Sequence, residues 1–228
     1  MKLRFSLRLS LLLVLVALFT SGCGTTPVVA NVENKQVESP TPLIDAAKAG
    51  NVEQIHSLVE TGGSVNAQAP GGTPLLAAVR QGNERAALAL LRYGANPDLG
   101  DDQGTTPLMV AAKNGNATLA RYLLAGQASV NQANAEGDTP VSLAARAGNL
   151  ALVKLLLNAG GNVNIEQAGR SLLMQVVGNN DLLMAQVLID AGADVHYVSP
   201  NGKTALDVAR SQGNRDLEML LIQSGAQG

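Results

Sequence analysis

Thr106-Pro107-Leu108-Met109-Val110-Ala111-Ala112-Lys113-Asn114-Gly115-Asn116 decides the fold, because it is one copy of a phrase that returns throughout the chain. Its opening recurs as Thr41-Pro42-Leu43, Thr73-Pro74-Leu75 and Thr139-Pro140-Val141, and more loosely as Ser171-Leu172-Leu173 and Thr204-Ala205-Leu206. The steps along the chain are 32, 33, 33, 32 and 33 residues. A period of that length marks one supersecondary unit that cannot bury its own apolar face and is stacked on copies of itself. A chain built this way presents an extended surface.

Each copy spells two short helices. Threonine serves as N-cap and proline fits the first helical position, where no N–H is needed. Ala46-Ala47, Ala111-Ala112 and Ala144-Ala145 are small enough to let helices of neighbouring copies approach closely. The first helix ends in Gly50-Asn51, Gly82-Asn83, Gly115-Asn116, Gly148-Asn149 or Gly213-Asn214. There glycine takes the left-handed turn and asparagine caps a second helix. That helix carries leucines at helical spacing, such as Leu152, Leu155 and Leu156, and stops at Gly62, Gly94, Gly160, Gly192 or Gly225. A loop follows, with its own glycine two residues before the next Thr or Ser.

The shared grammar Gly-x-Thr-Pro-Leu-x-x-Ala-Ala-basic-x-Gly-Asn, closed by Gly-Ala-x-x-Asn, resembles the ankyrin repeat over residues 41–228. The resemblance implies an all-α solenoid of about six helix-turn-helix repeats, starting near 41, 73, 106, 139, 171 and 204, with β-hairpin loops between them. It also implies a non-catalytic module that binds a protein through the hairpin tips and the concave first-helix face. The histidine usual after Thr-Pro-Leu is replaced by Ile44, Leu76, Met109, Ser142, Met174 and Asp207, so its hydrogen bond to the turn is expected to be lost in every repeat. Gln127 occupies a left-handed position that costs a non-glycine residue about 1 kcal/mol. Repeat five, with Leu172 for proline and Val176-Val177 for the alanines, reads as the weakest copy. Polar residues at the two ends, Asp45, Gln54 and His56 in the first repeat and Arg215, Glu218 and Gln223 in the last, suggest capping faces.

The chain of 228 residues is 46% hydrophobic and 15% charged, ample for a core. Trp is absent and both phenylalanines, Phe5 and Phe19, precede the repeats, so that core is aliphatic. Residues 1–22 read as a secretory signal: Lys2, Arg4 and Arg8 precede an apolar stretch from Leu11 to Phe19, too short to span a bilayer. Thr20-Ser21-Gly22-Cys23 resembles the lipobox of bacterial lipoproteins, with Thr20 where leucine is usual, and implies lipidation of Cys23. An ordinary signal peptide beside an incidental cysteine is the alternative. Cys23 is the sole cysteine, so no internal disulfide forms. Gly24, rather than aspartate, after the lipidated position implies the periplasmic side of an outer membrane. Residues 23–40 read as lipidation site and flexible tether, about 20 to 25 Å long by root-mean-square.

Removing residues 1–22 takes away three cations and no anions, moving the formal charge from -2 to -5. A domain that acidic does not suit nucleic acid. The two histidines, His56 and His196, stand 140 residues apart along the stacked repeats, too far apart to share a site, and His196 stands where other copies have asparagine. No metal set, phosphate loop or cofactor motif stands out from the repeat period. The expected partner is a protein, bound by a monomer whose contact with a membrane is its lipid anchor.

Two surfaces remain. Lys48, Arg80, Lys113 and Arg146 stand at one register of the first helices, followed by Gly178 and Ser211. Stacked at about 10 Å, they form a basic ladder that either contacts a partner or is a solvated charge row near helix C-termini. The loop tips carry Asp101, Asp102, Gln103, Asn134, Glu136 and Gln167, and they vary while the frame repeats. Tyr197 in the last finger is read as an exposed anchor or as packed on its own hairpin. Within binding, an immunity or inhibitor protein for one exported enzyme or toxin is an alternative, as is a structural spacer that organises envelope complexes.

Overall fold

Six helix pairs follow one another in the computed structural model, which describes residues 41–227. The expected signal segment 1–22, the expected lipidation site Cys23 and the expected tether lie outside the described residues. The pairs are α1 (Thr41–Ala49) and α2 (Val52–Glu60), α3 (Pro74–Arg80) and α4 (Glu84–Arg92), α5 (Pro107–Lys113) and α6 (Ala117–Ala125). They continue with α7 (Pro140–Arg146) and α8 (Leu150–Asn158), α9 (Leu172–Gly178) and α10 (Leu182–Asp190), α11 (Ala205–Gln212) and α12 (Arg215–Gln223). First helices pack on first helices and second on second, so two layers run the length of the solenoid.

Local chemistry starts most of the helices. The side-chain oxygens of Thr73, Thr106, Thr139, Ser171 and Thr204 accept from the backbone N–H three residues on, at 3.2 to 3.3 Å. Asn51, Asn116, Asn149, Asp181 and Asn214 cap their second helices in the same way. Asn83 departs from the expected role. Its amide reaches back to the carbonyls of Ala47 and Lys48 at 3.0 and 2.7 Å, tying repeat two to repeat one instead of capping α4.

The bond expected to vanish with the missing histidine is restored in two repeats. In repeat four, Ser142 Oγ accepts from Thr139 N at 3.0 Å. In repeat six, Asp207 Oδ2 accepts from Thr204 N at 2.9 Å. Both complete a capping box, since the turn needs only an acceptor three residues on.

The core is one continuous aliphatic cluster, with Ile55, Leu75, Leu90, Leu108, Leu123 and Leu152 fully buried. Each such side chain contributes about 1.5 to 3 kcal/mol of burial. In repeat five, Val176 and Val177 are also buried, and the backbone of α9 stays further from α7 than α7 does from α5. On its other side α9 stays close to α11, so the wider spacing lies between repeats four and five alone. The polar cap expected on the last repeat is incomplete: Met219 and Ile222 on α12 are 57% and 49% exposed beside Arg215 and Gln223.

Loops join the repeats through a second asparagine register. Asn66, Asn131 and Asn164 accept from the backbone N–H of Asn96, Asn162 and Asp194 at 2.7, 2.7 and 2.8 Å, and each also donates to a glycine carbonyl of the next repeat. Side chains that bond backbone across the repeat boundary add to the neighbour term that holds a solenoid together.

Candidate functional site

The fingers differ from the expected row of hairpins. Among the described residues, one two-stranded ladder forms, β1 (Glu166–Gln167) with β2 (Arg170–Ser171), and one isolated bridge joins Ala69 and Gly72. Ala168 and Gly169 form the two-residue turn at φ 50° and 70°, the positive pair that a type I′ hairpin requires. Elsewhere a side chain supplements a finger closed by a backbone bond across it, Asp101 N–H to Thr105 O at 3.2 Å and Asn134 N–H to Asp138 O at 3.0 Å. Asp101 Oδ1 accepts from the N–H groups of Gln103 and Thr105 at 3.0 and 2.9 Å, and Asn134 Oδ1 accepts from Glu136 and Asp138 at 3.0 and 2.8 Å. These side-chain turns reinforce that backbone bond.

Asp101 is therefore a structural residue. Burial pushes its carboxyl up, but the N–H donors of Thr105 and Gln103 and the Arg80 guanidinium together hold it below the ordinary value. Its side chain is 15% exposed. Asn134 has the same role, whereas Asp102, Gln103 and Glu136 point to solvent.

The ladder is not a row of free cations. Arg80 donates to the Gly71 carbonyl at 2.5 Å in one finger and pairs with Asp101 in the next. Arg146 meets Asp138 at 2.6 Å and donates to Gln167 Oε1 at 2.7 Å, again spanning two fingers. Gln167 then returns its amide to Glu136 O and Asp138 Oδ1 at 2.8 and 2.7 Å. Ala135 N–H donates to Gln103 O at 2.9 Å, so successive fingers also bond directly. Lys48 lies 3.6 Å from Asp45 with both side chains exposed, and Lys113 is exposed with no ion pair among the described residues. Arginine spans two fingers because its planar fork offers several donors at once; lysine offers one point charge.

Tyr197 is half-buried against the core rather than exposed. Partial burial pushes its hydroxyl up, and the neighbouring Glu166 carboxylate adds to the shift. On the second-helix side, His56 and Tyr93 meet edge-on, ring centroids 5.2 Å apart, with His56 Nδ1 against the Tyr93 hydroxyl. They line a 430 Å³ hollow between α2 and α4. A larger groove, 670 Å³, lies on the first-helix side over repeats four to six. Among the described residues, no three His, Cys, Asp or Glu side chains come together as a metal set, and no helix is long and apolar enough to cross a membrane.

A family model for ankyrin repeats in sets of three copies matches residues 12–101 and 89–167. The chain belongs to the ankyrin repeat family. Such repeats generally mediate protein–protein interaction and are typically non-catalytic. The solenoid is similar to an ankyrin repeat domain from Acinetobacter baumannii, at 29% identity and a TM-score of 0.78 over 83% of this chain and all of that one. It is also similar to the ankyrin domain of Bcl-3, a member of the IkappaB family, at 30% identity and a TM-score of 0.76 over 82% of this chain and 87% of that one. Among curated relatives, the mitochondrial disaggregase of Bos taurus is 41% identical over 61 residues. The mask-1 protein of Caenorhabditis elegans, which carries ankyrin repeats and a KH domain, is 37% identical over 65 residues. The chain spans 9% and 2% of these two proteins.

Proposed function

We propose that this ankyrin chain is a non-catalytic binding protein of a bacterial cell envelope, exported by residues 1–22, lipidated at Cys23 and held on the periplasmic side of the outer membrane. The export and anchoring reading rests on the basic start, the short apolar stretch and the single cysteine in a lipobox-like setting. The binding reading rests on the finger stack. Arg80, Arg146 and Gln167 cross-link successive fingers, so Asp102, Gln103 and Glu136 are offered on a braced frame. A surface fixed before contact loses little ordering entropy on association.

Mass spectrometry of the native protein tests the anchor: an N-terminus at Cys23 carrying diacylglycerol supports it, and an unmodified N-terminus elsewhere ends it. Cross-linked pull-down from envelope extract tests the function. A stoichiometric protein partner that depends on the finger tips is expected, and hydrolytic activity in the purified chain with no captured partner would overturn the reading.

A further inference from the structure

The 670 Å³ groove opens where the basic ladder stops. Gly178 holds the register of Arg146, and without a long side chain there the hollow between α9, α11 and the last two fingers stays open. We infer that this groove receives an extended acidic segment of the partner protein. The inference rests on the binding reading above and names the partner's chemistry.

Charge is the first argument. Arg146, Arg170 and Lys203 line the groove, and no carboxylate does, although acidic side chains outnumber basic ones over residues 41–227. Arg146 is committed to Asp138 and Gln167. Arg170 and Lys203 are exposed and form no salt bridge among the described residues. The neighbouring carboxylate, Asp207, is taken up by the capping box with Thr204. Lys203 feels the Asp207 carboxylate at longer range, but neither cation is held in a contact pair, and two such cations on one wall of an acidic body select an anionic partner and speed its approach.

Geometry is the second. Arg170 stands on the β1–β2 hairpin opposite Gln167, whose amide is fastened to the preceding finger. Lys203 stands on the next finger, and the two fingers touch: a Cβ on Gly169 would lie 3.1 Å from Pro200 Cδ. Both stems therefore rise from braced loops.

The floor suits a main chain. Half-buried Val208, over the buried Met174, supplies apolar surface, and Gln212 Nε2 donates to Gly178 O at 2.7 Å, which leaves the Gln212 Oε1 to accept a peptide N–H. Three repeats at about 10 Å accommodate about six to nine extended residues at roughly 3.3 Å each.

A random dodecamer phage library panned on the full chain, followed by fluorescence polarisation of the recovered peptides, tests this. Recovered peptides should be enriched in Asp and Glu and should weaken with salt. Against R170E/K203E their affinity should fall at least tenfold, against R170A/K203A at least threefold, and against K113E less than twofold. Circular dichroism should give R170A/K203A and K113E nearly the wild-type unfolding midpoint, since these side chains are exposed and form no salt bridge among the described residues, while R170E/K203E, which places a carboxylate near Asp207, should lower it only slightly. Recovery of no peptide, of peptides without acidic enrichment, or of peptides indifferent to Arg170 and Lys203 overturns the inference. So does displacement by single-stranded DNA of equal charge, or cross-linking of residues 24–40 of the chain into the groove. If wild type and R170E/K203E capture the same envelope protein equally, the groove assignment fails while the binding reading stands. If neither captures one, the binding reading itself fails.

Discussion

Arg146 reaches the carboxylate of Asp138 at 2.6 Å, linking the end of a first helix to the finger that precedes it. Asp138 is 5% exposed at its side chain and also accepts from Gln167 in the following finger. One guanidinium thus sits at a junction of helix and two loops. Breaking a buried pair costs about 3 to 5 kcal/mol, but Arg146 is itself 35% exposed and Gln167 still satisfies Asp138, so a smaller loss is expected. Denaturant unfolding of Arg146→Ala should show about 1 to 2 kcal/mol of destabilisation.

The ladder divides by residue type. Arg80→Glu should lower the unfolding midpoint, because it removes the bond to Gly71 and sets a carboxylate against Asp101. Lys113→Glu, at an exposed and unpaired position, should stay within about 0.5 kcal/mol of wild type. Thermal melts of the two variants side by side check the contrast. Equal effects would return Arg80 to the solvated row.

Acid should loosen the fingers. Two hydrogen bonds from Thr204 hold the Asp207 carboxyl below its usual range, and the balance of donors and Arg80 against burial does so for Asp101. A depressed folded pKa contributes stability that is fully present above the unfolded value, near 3.9, and is lost as pH falls through the folded value. The melting midpoint should therefore drop below about pH 4, and Asp101→Asn should flatten that drop. An unchanged slope in the variant would remove Asp101 from the account.

Backbone strain is stored at Gln127 and Ala168, with φ of 66° and 50°. Relief of about 1 to 2 kcal/mol by glycine outweighs the roughly 0.4 to 1 kcal/mol it loses through the freer unfolded chain. Gln127→Gly should thus raise stability by about 0.5 kcal/mol. Gly115→Ala should do the reverse, since φ is 70° and the new methyl would sit 2.7 Å from Asn149 Nδ2. Urea midpoints of the pair decide it.

Repeat five should open first. Its first helix α9 lies further from α7 than α7 lies from α5, which weakens the neighbour term there. Native-state hydrogen exchange should show less protection over residues 171–190 than over 139–158. Equal protection would mean that the valines fill the wider gap as well as alanines fill the narrow one.

What the sequence alone determined is whatever acts within three or four residues or repeats at a fixed interval. The Thr and Asn caps, the left-handed glycines and Gln127 are of this kind, as is the aliphatic core, because each depends on local dihedrals and a stacking period visible in the chain. Tertiary structure decided what joins one repeat to the next. Arg80 meets Asp101 and Arg146 meets Gln167 across 21 residues, and Asn83 reaches Lys48 across 35, so the same residues read as free charges and simple caps until the stack brings their partners in. The groove at Gly178 is likewise invisible in the chain, since a missing side chain becomes a site only when two fingers and two helices enclose the space it vacates.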